Sequence, residues 1–550
     1  MTVAFVRQIG AESGVQLNPL RDNSEIPSTD NSDQKFGIIM RATRGRIDKA
    51  FEVTRANVFT KLGSGENVRK SALNEAWVHV VEALNNGAYS AVVSRVVSSQ
   101  AKIKFAVVKP SEPLSDAGIV DVKFSAEETE PEDDFLLCVK HLECFNDGIK
   151  LAFHADEAED ESKKNEFLTV RVFDSKDVQL FEFYGSLNPE AKDDFGNSAY
   201  LPDVVASRTD AIELSVGVTD KKAFIENTSP AYGYDENGNQ KWKVSDVLVC
   251  FDEGQLSYTN ADYLKCRKAL QDSPFDFAYI SSGGSQAVPL LTQLVQLAYD
   301  TNRQLRFDVP GNLDVEAVIA FVKQLNLGAS KASHLVHAFW CPCKSDDPTR
   351  VNAKGFFGVA TLNIALACGR NAMKNAKGFA PKNYPVAGRE WPINRTGMTQ
   401  VVTPADHELS KLAKAKINPC GYEAYTGGGR WVFRDSLTCA SVDNSMKKLI
   451  SVADMSTSID DAVTRAGKDL LQLPMKVAVK RMKDFLRDFL ANAEASDWLV
   501  PSNDPAMDGK AYVFEVKPAE DRPYDVMIVN YWLRYDGTAR QIFVTQTLTK

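Results

Sequence analysis

The chain has 550 residues, 44% apolar and 25% charged, the balance of ordinary globular protein, and about 150 residues per domain gives three or four domains. Its 64 basic residues against 73 acidic ones leave a net charge of −9, which argues against a dedicated nucleic-acid binder. Nine cysteines without a CxxC pair read as reduced, mostly buried thiols rather than a disulfide framework.

Residues 1–35 begin with an apolar strip, Val3, Phe5, Val6 and Ile9, followed by polar chain with Pro19 and Pro27. The strip cannot bury itself alone, so it is expected to be a loose tail or an N-terminal arm that docks elsewhere. No charged leader precedes a long apolar stretch, and the most apolar window, 355–369, is too short to span a bilayer; a soluble protein made in the cytoplasm is expected.

Residues 36–104 read as the first part of a core. A strand is expected over 35–41. Leu73, Ala76, Trp77, Val80, Val81 and Leu84 recur at helical spacing, Gly87 supplies the stop, and 88–97 alternates as a strand. His79 falls off the apolar face of that helix and is expected in solvent.

Residues 105–260 carry period-two runs, such as 167–173 and 178–184, separated by turn signals, and read as a β-rich inserted domain. Residues 111–260 hold 33 acidic and 13 basic residues, a net of −20 that leaves +11 for the rest. Such runs repel one another and acidic surfaces, so the insert is expected on an outer wall.

From 261 to 380 the pattern changes to strand 275–282, helix 288–299, strand 304–309, helix 315–325 and strand 333–341, a βαβαβ unit that predicts a mainly parallel sheet. Residues 381–523 open with a Pro- and Gly-rich loop and are then mostly helical. Residues 524–550 close the chain with two strand-like runs, 524–535 and 541–548, joined at Asp536-Gly537 as a hairpin and C-terminal arm. The expected fold class is α/β and α+β multidomain, an αβ-alternating core with a β-rich inserted domain and extended N- and C-terminal arms.

Candidate chemistry is sparse. His334, His337, Cys341 and Cys343 lie within ten residues, but on a strand the two histidines point to opposite faces; a core strand ending at Pro342 is the better reading, and no metal or cofactor is expected. Gly283-Gly284 sits between strand and helix, where phosphate sites occur, yet the stretch is neither GxGxxG nor a Walker loop, and a tight turn is favoured. Gly427-Gly-Gly-Arg430 precedes a strand and reads as a hairpin loop. No nucleophile setting is recognisable, so no catalytic residue is named and no enzyme is expected. One helix stands out: Met475, Val479, Met482, Phe485, Leu486, Phe489 and Leu490 form an apolar face, and Lys476, Lys480, Lys483 and Arg487 a basic stripe beside it, which reads equally as a binding stripe or as an ordinary solvated face.

Three stretches carry a resemblance. Leu84-Asn-Asn-Gly-Ala-Tyr-Ser-Ala-Val-Val-Ser-Arg95-Val is similar to a helix, Gly turn and strand ending in Arg-Val. Leu412-Ala-Lys-Ala-Lys-Ile-Asn418-Pro with Gly429-Arg-Trp-Val-Phe-Arg434-Asp-Ser-Leu-Thr438 is similar to a helix, Ile-Asn, glycine loop and Arg-Thr-Leu segment, although Asp435-Ser436 interrupts the usual pair. Residues 445–498 resemble a pair of closing helices. In this order the pieces resemble the contractile tail sheath proteins of bacteriophages, best over 36–100 and 381–550.

The resemblance implies a structural subunit of the virion, assembled in the host cytoplasm as stacked hexameric rings around a tail tube. Its implied partners are itself, the tail tube protein, and baseplate and tail terminator or neck proteins, with no direct nucleic acid and no membrane insertion. On that reading Val3, Phe5, Val6 and Ile9, and Val526, Ile528, Val529, Tyr531 and Leu533, are inter-subunit arms that pair with a neighbour's sheet, and the basic stripe faces the tube. The alternatives are another self-assembling subunit, of capsid or surface-layer type, or a nucleotide- or sugar-binding enzyme on the αβ unit.

Overall fold

The computed structural model describes residues 31–110, 122–132, 135–155, 166–193, 195–217, 233–234 and 240–547; the N-terminal strip from Val3 to Ile9 lies outside the described residues.

An eight-stranded sheet gathers strands from three stretches of sequence. In chain order they are β1 (Lys35–Met40), β2 (Phe51–Thr54), β3 (Ser90–Arg95), β4 (Tyr279–Ser281), β5 (Gln304–Val309), β6 (Val336–Trp340), β7 (Ile417–Tyr425) and β8 (Gly428–Phe433). Their spatial order is β2-β3-β1-β4-β5-β6-β7-β8. The contacts from β3 through β7 are parallel, and one antiparallel strand closes each edge. The expected βαβαβ unit is therefore the middle of a longer sheet, and β2, which the sequence reading passed over, is its edge.

Both faces of the sheet are covered, which is why its strands read as nearly unbroken apolar runs. Alternation along each strand sends Ile39, Ile280, Leu305, Phe307 and Trp340 to one core, beneath the helices Asn260–Gln271, Val288–Thr301 and Val315–Gln324. It sends Phe36, Ile38, Met40, Tyr279 and Phe339 to the other, beneath Glu75–Asn85 and Ala360–Ala372. Local chemistry starts the helices where expected: Asp314 accepts from the Ala317 amide, and Thr259 with Asp262 forms a capping box.

The β-rich insert forms two four-stranded antiparallel sheets. One runs Ile212–Val216, Leu137–His141, Phe105–Pro110, Val122–Glu127; the other Lys243–Val244, Ile149–Ala155, Phe167–Asp174, Gln179–Ser186. Val108, Phe124 and Val139 from the first share a core with Leu151, Phe153, Val170 and Val172 from the second. Charge joins the insert to the main sheet. The loop after β1 offers Arg41 to Glu253 and Glu66, Arg44 to Asp147 and Asp174, and Arg46 to Asp48 and Asp210. Arg95, at the end of β3, donates to the carbonyls of Gly45 and Cys144 at 2.9 and 2.5 Å and to Asn146 Oδ1 at 2.7 Å. Part of the acidic excess thus faces arginines of the same chain.

The C-terminal module packs the helices Ile450–Asp469 and Met475–Glu494 with a hairpin, Tyr512–Pro518 paired antiparallel to Met527–Leu533. This corrects one expectation, the hairpin at Asp536-Gly537. The strand holding Ile528, Val529, Tyr531 and Leu533 pairs at home on one edge, and Val526 bonds to Ala519 beside it. Residues 541–547 adopt no strand, and Asp536-Gly537 is not a hairpin turn. Beyond it the chain is tied down instead: Thr538 Oγ1 lies 3.1 Å from Ser451 Oγ, and Arg540 grips Asp435 at 2.8 and 2.5 Å, so the segment runs on rather than folding back.

Candidate functional site

Three places test the candidate chemistry: the crevice where the strand order reverses, the charged groups buried against the sheet, and the exposed face of the closing helices.

In an open parallel sheet, ligands enter beyond the carboxyl ends of strands at the point where the order reverses. Here that point lies between β1 and β4, and Gly283-Gly284 follows β4 there. Both glycines have positive φ, +59° and +78°. A Cβ on Gly283 would meet Ala76 Cβ and Ile38 Cδ1 at 2.9 Å, and one on Gly284 would meet the Glu75 carboxyl at 2.7 Å and His79 Nε2 at 2.8 Å. The glycines admit the helix Glu75–Asn85 to the crevice, and a phosphate has no room there.

That helix brings a buried charge cluster with it. His79 is fully buried, against expectation, because Glu75–Asn85 is packed between the sheet and the helix Ala360–Ala372. Its Nε2 lies 2.9 Å from Glu75 Oε1, and Nδ1 stands 3.9 Å from Glu82. Burial alone would lower the imidazole, but the Glu75 hydrogen bond and the carboxylates of Glu82 and Asp308 push it up to about 9. Arg395 grips Glu82 with two 2.6 Å bonds; burial would raise that carboxyl, and Arg395 holds it down at about 2. Asp308 Oδ1 caps the helix Ala360–Ala372 by accepting from Val359 and Ala360 at 2.6 and 2.8 Å, while burial pushes the group up to about 6 against the pull of His79.

A second cluster centres on Asp454, which is 2% exposed. Its carboxylate accepts from Arg370 at 2.8 Å and from Arg306 and Tyr279 Oη at 3.3 Å. Arg306 also donates to Asn363, Arg370 to the Tyr384 carbonyl, and Asn371 to Tyr279 Oη. Burial opposes the ionised Asp454, and the arginines overcome it, holding it at about 2. The cluster locks the C-terminal helix Ile450–Asp469 to β4, β5 and the helix Ala360–Ala372. Sequence reasoning missed both clusters, although a signal was present: Arg306 and Asp308 alternate with apolar neighbours inside a central strand.

Each charged group in these clusters faces an opposite charge of the protein, although His79 Nδ1, Arg306 Nε and Asp308 Oδ2 keep no hydrogen-bond partner. An open cleft of about 930 Å³ does lie between the C-terminal helices and the start of β1, lined by Asp33, Lys377, Arg465, Phe489 and Trp498 among others. Its walls hold no histidine or cysteine.

The basic stripe is where the helical spacing puts it. Met482, Leu486 and Leu490 are buried, and Lys476, Lys480, Lys483 and Arg487 are exposed. Arg487 pairs with Asp484 and Asp488 at 3.1 and 2.9 Å. The three lysines stay free of ion pairs among the described residues. A second exposed feature is apolar: Ile542, Phe543 and Val544 are 81%, 89% and 88% exposed. The His334–Cys343 stretch divides. His337 is buried beside Arg306, its partner in the β5–β6 register, and burial lowers it to about 3. Cys341 and Cys343 meet Cys420 instead of a histidine.

The chain matches no family model and no curated protein. In trace it is similar to the sheath tail protein of Desulfitobacterium hafniense, at 12% identity and a TM-score of 0.46, over 94% of this chain and 100% of that one. It is also similar to a chain of an extracellular contractile injection system sheath complex in the contracted state, at 13% identity and a TM-score of 0.41, over 56% of this chain and 77% of that one. A chain of the anti-feeding prophage baseplate is similar at 14% identity and a TM-score of 0.39, over 55% and 76% of the two chains. Among the described residues no helix is long and apolar enough to cross a membrane.

Proposed function

We propose that this chain is the structural subunit of a contractile tail sheath of the bacteriophage type, polymerising as stacked hexameric rings around a tail tube and contracting to drive that tube through a host envelope. The ordered resemblance of residues 84–96, 412–438 and 445–498 supports the family. The observation that carries assembly is the segment 541–547, in which Ile542, Phe543 and Val544 stand in solvent with no strand beside them. An exposed, β-prone apolar run is an aggregation hazard unless a specific partner covers it, and a neighbouring subunit's sheet is such a partner.

In this reading the arms comprise residues 1–20, the free edge of the hairpin strand Met527–Leu533, and residues 541–547. The three unpaired lysines with Arg487 face an acidic tube wall, and the insert lies outward. The subunit is not an enzyme, and its partners are its own copies, the tube, the baseplate and the tail terminator. The nucleotide-binding alternative has no observation in its favour, since the crevice at Gly283-Gly284 is filled by protein. Truncation at residue 540 tests assembly: folded, soluble subunits that no longer form tubes are expected, and tubes of normal length from the truncated chain would remove the segment from the interface.

A further inference from the structure

Three of the cysteines converge. Cys341 follows β6, Cys343 opens the short strand Cys343–Lys344, and Cys420 lies in β7. β6 and β7 run parallel with Trp340 beside Pro419, which brings the next residues, Cys341 and Cys420, abreast. All three side chains are buried, and their Sγ atoms lie within 4.8 Å of one another. No other group of three ligating side chains occurs among the described residues.

We propose that Cys341, Cys343 and Cys420 supply three thiolate ligands to a soft, thiophilic cation, Zn2+ or Cu+. Sulfurs about 2.3 Å from a central ion stand about 4 Å apart, close to the spacing of these three, which lie within 4.8 Å of one another. Thiolate donors select this class of ion over hard cations. Binding exchanges thiol protons for the ion and leaves the site anionic; the nearby guanidinium groups, Arg395 and Arg434, are themselves paired with Glu82 and Glu423. Because the site is closed, the ion enters as the chain folds, so chelators added to the finished protein have no route to it.

The probe is Cd2+, a spectroscopically visible stand-in. Full-length protein produced in medium containing Cd2+, then desalted, is expected to retain one ion per chain and to show an ultraviolet thiolate-to-cadmium charge-transfer band. The Cys420→Ser variant is expected to lose both, while Cys368→Ser, buried in the helix Ala360–Ala372, keeps both. Should Cys420→Ser fail to fold, the wild type decides by itself, through metal content and band intensity. Wild-type protein that retains no Cd2+, Cys420→Ser protein that retains as much as wild type, or a disulfide between two of these cysteines under reducing conditions would overturn the proposal.

Discussion

At the scale of single residues, the molecule is held by charges taken out of water in closed sets. Removing one member of a buried pair strands the other, at about 3–5 kcal/mol. Arg395→Met should therefore destabilise the fold by about that amount, and adding Glu82→Gln should recover part of it, as denaturant unfolding of the single and double variants will show. The pH dependence follows from the same residues. His79 is raised to about 9 in the fold, so its stabilisation is complete below its ordinary value of 6.5 and disappears as pH climbs through about 9. Glu82 and Asp454, both held at about 2, stabilise above their ordinary carboxylate range and lose that contribution as pH falls toward about 2. Asp308 acts in the opposite sense, costing stability as pH rises from its ordinary 3.8 through about 6. Thermal melts should thus decline on the alkaline side in wild type and markedly less in His79→Gln. An unchanged alkaline decline in that variant would show that His79 is not its source. None of this was legible from one helix, since a histidine off the apolar stripe is exposed only if nothing covers the other face. Here a helix nearly 300 residues further along the chain covers it.

At the scale of elements, local patterns were legible and remote pairings were not. The helix Met475–Glu494 and the stripe on it followed from spacing alone. Leu486, fully buried in that helix, should cost about 2–5 kcal/mol on truncation to Ala, read as a lowered denaturant midpoint. Reversing Lys476, Lys480, Lys483 and Arg487 to Glu should leave the melting temperature and free polymer nearly unchanged, because all four are exposed, while co-assembly on the tail tube fails. Normal tube-bound sheath would return the stripe to an ordinary solvated face. The hairpin was misplaced for a definite reason. Asp536-Gly537 has the composition of a tight turn, but pairing is decided by packing: Val516 and Val529 fit beneath the closing helices, whereas Arg540 anchors the following chain to Asp435. The glycines after β4 show the same limit. Their composition suits a turn or a phosphate cradle, and only the helix packed on them distinguishes the two. Gly284→Ala should destabilise the fold, since it combines a φ of +78° with a contact at 2.7 Å to Glu75.

At the scale of the molecule, the charge asymmetry has a use inside the chain. The acidic insert meets Arg41, Arg44 and Arg46 at its junction with the main sheet, so some of the imbalance seen in sequence is settled within one subunit. Deleting residues 105–258 should leave the eight-stranded sheet able to fold and polymerise, with a lower melting temperature because those arginines lose partners. Loss of folding would make the insert part of the core. The central claim is that the chain builds a tube from its own copies through its terminal segments, and negative-stain electron microscopy of purified full-length protein beside a chain ending at residue 540 tests it most directly. Hollow, striated tubes from the full chain and dispersed, folded particles from the shortened one are the expected images; dispersed particles from both, or sheets or closed shells from the full chain, would contradict the account.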